Sequence, residues 1–401
     1  MPPHRAPAEL STSSGKRLRR RPCILQVVSH LALGGAERIA AAIATAPTDA
    51  FSFAFHAVRG VGDGAVGESL RREILARDIP LHLGPRVPMR FGGMLTGAFA
   101  LARTLRATQP DLIHLHTEIP ESSYAVLLAL RPRLRSIPVV RTIHNSVIWH
   151  FSPQLGRWCD RRLAHAALAC VSPGALAAFS KLRQRSGAPP PPFPPAVILN
   201  GVHPPRVREP VIRPADAPLE LVFGGRLEHE KGADLIPEIL QQTPLPAGRR
   251  ANFHIFGSGA HAATLRNLAR HPPPSWHVNL HAPIPDFAQH LHRYDVLVMP
   301  SRHEGLGLVA IEAALAGLPV VATDAPGLRD VFPSDYPLLA RAGDPTSIAQ
   351  TLGIALAQPE TATRAARLAQ AFAQKHFDAA TMIQHYRDLY SRVLASAPSA
   401  T

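Results

Sequence analysis

The chain has 401 residues, which is long enough for two ordinary domains, each with its own core. Its hydrophobic fraction of 46% is normal for a globular protein and excludes a fibrous or wholly disordered chain. The formal net charge of +14 attracts anions in general, whether phosphorylated small molecules, anionic lipid surfaces or nucleic acid.

Residues 1–21 contain six Lys and Arg residues against the single Glu9, and they predict a basic disordered tail. No apolar stretch precedes Pro22 that could be a signal-peptide core, and no later segment has the roughly 18 uninterrupted apolar residues of a membrane span. The cysteines match neither a disulfide framework nor a zinc site, which favours reduced, mostly buried thiols; they are Cys23, Cys159 and Cys170. We therefore expect a cytoplasmic protein. The basic tail is either plainly disordered or a contact to the anionic inner face of the plasma membrane.

The first half of the chain alternates short β-type runs with helical stretches. Predicted strands cover 23–29, 51–58, 112–116, 138–143, 167–171 and 196–199, and predicted helices cover 36–46, 95–107 and 155–166. This alternation predicts a parallel sheet with crossover helices on both faces. We assign residues 22–202 to a first α/β domain.

Two Pro-rich stretches, 189–195 and 203–218, follow, and the second is typical of an interdomain linker. The alternation then restarts, with strands predicted at 219–223, 251–256, 295–299 and 319–322 and continuous helix from about 346 to 395. We assign 219–375 to a second α/β domain, and 376–401 to a C-terminal helix and tail that pack back toward the first domain. Ligands of open α/β sheets bind at the carboxyl ends of the strands, so the natural site is the cleft between the domains.

The most specific motif runs from Ser301 to Gly307 (SRHEGLG) and is followed by Glu312. It follows a predicted strand and opens a helix, so Gly305 and Gly307 let free helix amides approach a diphosphate. Glu304 and Glu312 are at most ~12 Å apart along a helix axis, which suits two contacts on one extended ligand rather than one reacting atom. The structural alternative is a capped helix whose glutamates favour its positive end.

A second Gly-rich turn, Gly224-Gly225-Arg226, follows the strand at 219–223, and Lys231 comes shortly after it. Arg226 offers a guanidinium fork and Lys231 a point charge for phosphate oxygens. Because the chain has no Asp-x-Asp metal motif, we expect no metal and no other cofactor, with these two cations neutralising a diphosphate. The alternative is a surface cation pair near a turn.

The first strand is followed by the turn Gly34-Gly35, which either starts a helix or offers amides to a phosphate. His114 and His116 lie at the end of the strand at 112–116, and we expect their side chains to point to opposite sides. His116 and His144 are candidates for the cleft, although a lone histidine is more often structural.

Taken in order, the motifs resemble those of family 4 glycosyltransferases with the GT-B fold, over about residues 23–390. The matching segments are 34–37 (GGAE), 114–116 (HLH), 170–172 (CVS), 200–202 (NGV), 225–227 (GRL), 231–232 (KG), 257–259 (GSG), 300–312 and 317–320 (GLPV). The resemblance implies two Rossmann-like domains that face each other across a cleft. Two positions depart from the family pattern. Ala282 stands where a Gly is frequent. The family often has an acidic residue at or near Arg329-Asp330, after a Gly-rich loop that here reads Ala325-Pro326-Gly327.

The resemblance also implies a retaining, metal-independent transferase that binds its donor mainly through the second domain. Arg226 and Lys231 would hold the diphosphate, Glu304 the sugar, Glu312 the ribose and Ile284 the base, while His116 would face the sugar. We expect catalytic roles for His116, Arg226, Lys231 and Glu304. The expected donor-binding set is Gly34, Gly35, Gly225, Arg226, Lys231, Gly257, Ile284, Glu304, Gly305, Leu306, Gly307 and Glu312.

The leading hypothesis is transfer of a sugar from a UDP- or GDP-sugar to a saccharide or lipid-linked acceptor. The product would be a bacterial surface glycan: lipopolysaccharide, capsule or exopolysaccharide. The alternatives are a GT-B enzyme with a small soluble acceptor, a basic nucleic-acid-binding protein and a non-catalytic scaffold. No zinc finger or RNA-recognition motif is present, so we expect no specific nucleic-acid partner.

Overall fold

The structure is a computed structural model that describes residues 20–88, 91–207, 214 and 217–396. The predicted tail therefore lies outside the described residues except for Arg20 and Arg21, as does most of the second half of the predicted linker. Arg20 pairs with Asp111 at 3.0 Å and Arg21 with Asp49 at 2.5 Å, which fixes the start of the first strand.

The first domain is a parallel sheet of seven strands in the order β3-β2-β1-β4-β5-β6-β7. The strands are β1 (Cys23–Val28), β2 (Ser52–Ala57), β3 (Leu81–Leu83), β4 (Leu112–His116), β5 (Val139–Ile143), β6 (Ala167–Cys170) and β7 (Ala196–Val197). The helices are α1 (Gly35–Thr45), α2 (Ala65–Leu75), α3 (Gly93–Thr108), α4 (Glu118–Leu130), α5 (Pro153–Arg162) and α6 (Pro173–Ser186). The strands β1, β4, β5 and β6 are buried along their whole length, as expected for strands covered on both faces.

The second domain is a parallel sheet of six strands in the order β10-β9-β8-β11-β12-β13. Its strands are β8 (Leu219–Gly224), β9 (Ala251–Phe256), β10 (Trp276–His281), β11 (Val296–Met299), β12 (Val320–Thr323) and β13 (Leu339–Ala340). Its helices are α7 (Ile236–Gln242), α8 (Ala262–Arg270), α9 (Phe287–His290), α10 (Leu308–Leu315), α11 (Pro345–Ala357) and α12 (Pro359–His376), and the last helix of the chain is α13 (Ala379–Ala395).

Both sheets have the doubly wound order in which the connections reverse direction between two neighbouring strands. These pairs are β1 and β4 in the first domain, and β8 and β11 in the second. Ligands bind at the carboxyl ends of such strands, where the crevice opens. The turn at Gly34 follows β1, the turn at Gly225 follows β8, and the Glu304 segment follows β11. All three motifs therefore lie at switch points.

The helix α13 packs on the first domain although it ends the chain. Its Tyr390 hydroxyl accepts a hydrogen bond from Gln26 of β1 at 3.0 Å, and Arg387 donates to the carbonyl of Pro47 at 2.8 Å. The chain passes from the first domain to the second after Val202 and returns just before α13. These two connections lie side by side, because Val202 forms a β-bridge with Asp378.

The α/β class with two Rossmann-like domains is confirmed, and most predicted strands agree within one or two residues. The prediction of continuous helix from 346 to 395 was wrong. Pro359 and the segment before Ala379 divide that stretch into three helices. Pro359 begins α12 because proline fits the first turn of a helix but not its interior. No helix of the described residues is long and apolar enough to cross a membrane.

Candidate active site

Glu304 lies in the segment between β11 and α10 and is 5% exposed. Both of its carboxylate oxygens accept hydrogen bonds, one from Lys231 Nζ at 2.6 Å and one from Ser301 Oγ at 2.9 Å. Ser301 is fixed in turn, since its carbonyl accepts from the Thr323 hydroxyl at 2.5 Å. The carboxylate therefore holds the Lys231 ammonium at the switch point, and two of the three ammonium protons are free to meet a ligand.

The loop that carries Lys231 is tied to the segment that carries Glu304. The Arg302 guanidinium donates two hydrogen bonds, of 2.7 and 2.9 Å, to the carboxylate of Asp234. The main-chain N–H of Arg302 donates to the carbonyl of Glu230. Gly232 has a φ of 67° and lies against the carbonyl of Pro300, which a β-carbon would approach to 2.0 Å. Only glycine fits there, and the close approach fixes the position of Lys231.

Arg226 lies at the carboxyl end of β8, with its side chain 46% exposed and 2.8 Å from Glu230. Gly225 and Gly257 shape this turn, because a β-carbon on Gly257 would come within 2.1 Å of the Gly225 carbonyl oxygen. Arg226 is also close to His30 and Glu37 of the first domain. Burial is the main cause that lowers the pKa of His30, and the Arg59 and Arg226 charges lower it further.

Gly305, Leu306 and Gly307 lead into α10, and no side chain among the described residues caps its first turn. The amides of this helix start are therefore available to an anion, and the helix dipole favours negative charge there. Glu312 lies inside α10, and its side chain is only 2% exposed. Its carboxylate accepts a hydrogen bond from Arg38 on α1 of the first domain.

Several contacts join the facing loops of the two domains. Ser146 donates its N–H to the carbonyl of Glu304 at 3.3 Å, and Gly35 lies against the side chain of Leu308. The Gly174 N–H at the start of α6 donates to Asp330 at 3.4 Å. With the Arg38–Glu312 ion pair, these contacts hold the cleft closed around the start of α10.

Glu37 of the GGAE segment lies directly behind the Gly34-Gly35 turn that follows β1. A β-carbon on Gly34 would come within 2.1 Å of the Glu37 carboxylate, so a larger residue there would displace the end of that side chain. Burial raises the pKa of Glu37 to about 7, and the charge of Arg226 opposes that rise only in part. The carboxyl group is thus partly protonated at neutral pH.

The expectation that His114 and His116 point to opposite sides was wrong. Residues two apart in a strand share a face, and the two rings lie 3.9 Å apart. Both are fully buried, so His116 does not reach the cleft surface itself. His116 is instead hydrogen-bonded through Nδ1 to Nε2 of His144, at 2.9 Å. His144 is partly exposed, and its carbonyl group lies against Gly305.

A chain of hydrogen-bonded side chains connects α13 to this histidine. Its members, in order, are Thr142, His114, Tyr390, Gln26, His116 and His144. The Gln26 carbonyl oxygen accepts from His116 Nε2 at 2.7 Å, so His116 Nδ1 accepts from His144 Nε2–H. Burial lowers the pKa of all three imidazoles, that of His144 to about 3, so they are neutral at physiological pH.

The structure thus brings together Arg226, Lys231, Glu304, Glu312 and the start of α10 from the second domain. It places Gly34 and Gly35 across the cleft from them. Ile284 is partly exposed and lies three residues after the end of β10, whose last residue, His281, stacks on Phe256. Sequence reasoning missed Arg38, which is an ordinary exposed-helix arginine in the sequence and acquires its partner only from the other domain.

Two family models match the chain, one on each domain. "Glycosyltransferase Family 4" matches residues 33–206, and "Glycosyl transferases group 1" matches residues 209–372. Together they account for both halves of the cleft described above.

Several known proteins are similar to the chain. The glycogen synthase of Mycobacterium tuberculosis is 29% identical over 303 residues, which cover 72% of this chain and 70% of that protein. The D-inositol 3-phosphate glycosyltransferase of Xylanimonas cellulosilytica is 30% identical over 222 residues, covering 51% and 52%. A putative teichuronic acid biosynthesis glycosyltransferase, TuaC of Bacillus subtilis, is 27% identical over 273 residues, covering 64% of each.

Among solved structures, Anabaena Alr3699/HepE in complex with UDP-glucose is similar in fold. The TM-score is 0.72 with 21% sequence identity, and the match covers 92% of this chain and 99% of that one.

Proposed function

Because the chain belongs to glycosyltransferase family 4 and has the GT-B fold, we propose that it transfers a sugar from a nucleotide-diphosphate sugar with retention of configuration and without a metal. The observation that carries this proposal is the Lys231–Glu304 pair beside the uncapped start of α10. It combines a fixed cation, a fixed carboxylate and free amides at one switch point.

Departure of the nucleotide leaves negative charge on the diphosphate, and that charge must be stabilised in the transition state. Lys231 is held at 2.6 Å from Glu304 and is only 20% exposed, so its charge acts with little competition from water. Arg226 and the amides of Gly305, Leu306 and Gly307 would complete the diphosphate contacts. No step then needs a divalent ion.

Glu304 is held by two donors and is poorly suited to act as a base. It would accept hydrogen bonds from donor-sugar hydroxyls, and Glu312 would accept from the ribose through the carboxylate oxygen that Arg38 does not contact. Ile284 would lie near the base. His116 would act through His144, because His144 is the histidine of the pair that reaches the cleft. The acceptor proton would pass to the departing phosphate, because Glu304 and Glu312 are bonded to cations and Glu37 is buried.

We propose a saccharide or lipid-linked acceptor used in a bacterial surface polysaccharide. The similarity to TuaC, a putative teichuronic acid biosynthesis enzyme, supports this proposal. So does a surface feature of the first domain, the α3 stripe, which consists of Leu95 and Phe99 on α3 and of Phe91 two residues before the helix. These residues are 51%, 59% and 68% exposed. The helix α3 contains no acidic residue, and Arg103 and Arg106 end it. This composition suits an anionic membrane face, and hence a cytoplasmic protein peripheral to the plasma membrane.

The test is a thermal-shift screen across UDP, GDP, ADP and their sugars. A nucleotide at 100 times its Kd should stabilise the protein by ~2.7 kcal/mol. Lys231→Ala should reduce the shift given by the nucleotide, and Glu304→Ala should reduce the further shift given by the nucleotide sugar. Arg364→Ala, an exposed position on α12, should preserve both shifts. If both site variants keep the wild-type shift, the donor-site assignment is wrong.

A further inference from the structure

The segment 144–152, between β5 and α5, forms the wall of the cleft opposite the Glu304 segment. The Ser146 hydroxyl donates to the carbonyl of Pro326 at 3.1 Å, and its N–H donates to Glu304 O. A β-carbon on Gly305 would come within 2.0 Å of the His144 carbonyl oxygen. The wall therefore begins in direct contact with the residues that would hold the donor sugar.

Trp149 fixes the far end of this segment in an unusual conformation. Its φ is 55°, in the left-handed region that a bulky residue avoids at a cost of about 1–3 kcal/mol. Its N–H donates to the carboxylate of Glu118 at the start of α4, and its ring is buried against Gly156, where a β-carbon would come within 2.4 Å. Such strain persists only where the surroundings impose it, so the loop is held in one shape.

The imposed shape presents two aromatic rings to solvent. Phe151 is 90% exposed, the largest value for a large hydrophobic side chain among the described residues, and the His150 ring lies 3.6 Å from it. His150 is close enough to His303, on the donor side, to help lower the pKa of that imidazole, although burial is the larger cause. Phe151 and His150 thus lie at the mouth of the cleft, where the ring nitrogens of His150 can form hydrogen bonds.

We propose that Phe151, with His150, is a stacking platform for a pyranose ring of the saccharide acceptor. One face of a pyranose carries mainly C–H groups and packs on an aromatic ring, while its hydroxyls bond to neighbouring polar groups. A single ring beside an imidazole fits a sugar better than a lipid surface, which favours several apolar residues in a row. This inference rests on the proposed function, because it names part of the acceptor site.

The experiment uses the full chain on a glycan array that carries hexose, N-acetylhexosamine and uronate oligosaccharides, with the nucleotide that the thermal-shift screen selects. We expect Phe151→Ala to bind the glycans retained by the wild type about tenfold more weakly. Phe151→Tyr should retain them, since the ring face remains. Leu130→Ala removes a 60% exposed apolar side chain at the end of α4, outside both this segment and the α3 stripe, and should bind as the wild type does.

Equal retention of glycans by Phe151→Ala and the wild type, or no retention by the wild type, would overturn the platform. Loss of binding to phosphatidylglycerol vesicles in Phe151→Ala, with unchanged glycan retention, would also overturn it in favour of a lipid contact. Nucleotide stabilisation, measured on the same samples, should be equal in the variant and the wild type. If no nucleotide stabilises the wild type or any variant, the proposed function is refuted. The glycan array would then be run without nucleotide, and the comparison of Phe151→Ala with the wild type would still test the stacking platform.

Discussion

The guanidinium of Arg38 on α1 donates a hydrogen bond to the carboxylate of Glu312 on α10, so one ion pair joins the two domains across the cleft. The Glu312 side chain is 2% exposed, whereas that of Arg38 is 40% exposed. The carboxylate thus depends on its partner far more than the guanidinium does, because a buried charge without a partner is strongly unfavourable.

Arg38→Ala should therefore lower the free energy of unfolding by about 1–2 kcal/mol, a value reduced for the exposure of Arg38. Adding Glu312→Gln should recover part of this loss, since the orphaned charge is removed. Urea denaturation of the two single variants and the double variant measures the coupling. Strictly additive effects would show that the ion pair contributes nothing.

Lys231→Ala should lower the rate of sugar transfer or donor hydrolysis by about 10²–10³-fold, because a fixed charge beside the leaving diphosphate is lost. Lys231→Arg should recover part of the rate, since its charge is kept but the Glu304 geometry changes. Single-turnover kinetics with the nucleotide sugar from the screen measures this, with Arg364→Ala as the control. A rate within threefold of wild type would exclude the proposed role.

The stability should fall as the pH drops below about 6.5. Burial lowers the pKa of His56 and His144 to about 3 and lowers those of His114 and His116 well below their usual value. The unfolded chain takes up protons at these sites below its ordinary pKa, whereas the folded chain does not. Each histidine therefore removes up to about 1.4 kcal/mol per pH unit as the pH falls.

Glu37 acts in the opposite direction, because its raised pKa of about 7 makes the folded state lose stability as the pH rises from about 4.5 through 7. Burial also raises the pKa of two further carboxyl groups, Glu118 and Asp330, and lowers the pKa of four further histidines, His30, His165, His281 and His303. The histidines therefore outweigh the carboxyl groups. Urea unfolding at pH 5.0, 6.0 and 7.5 should show the decline in the free energy of unfolding. His56→Gln, at a position away from the cleft, should reduce the slope of that free energy against pH by the contribution of one proton. An unchanged slope in that variant would contradict the argument.

The α3 stripe should carry binding to anionic membranes. Replacing Leu95 and Phe99 by Glu puts charge where apolar insertion is expected, so the variant should no longer sediment with phosphatidylglycerol vesicles. Ile354→Glu is the matched control, because Ile354 is 42% exposed on α11 of the other domain. Equal vesicle binding by both variants would show that the stripe is not the contact.

Much of this architecture could be predicted because its signals are local. The apolar runs that became β8 and β11 end directly at Gly225 and before Glu304, so strand ends and motifs coincide in the sequence. Short strands such as β3, with three residues, left no comparable pattern. The direction of His114 and His116 was misjudged, although the period of two in a strand was enough to settle it.

Other parts depend on distances that no sequence pattern contains. The partner of Arg38 is 274 residues away, and Tyr390 reaches His114 from 276 residues away. Both contacts exist only because the chain returns to its first domain. The left-handed Trp149 was likewise unpredictable, since its conformation follows from Glu118 and Gly156, which belong to two different helices.

The return of α13 gives the molecule a pivot. The chain leaves the first domain after Val202 and re-enters it at Asp378, and these two crossings are bonded to each other, with Val202 N–H 3.0 Å from the carbonyl of Phe377. Because the two connections lie at one point, a swing of the domains about that point would leave both unstretched, whereas sliding would strain them. A chain truncated before α13 would lose the second connection together with the tyrosine that orders the buried histidines.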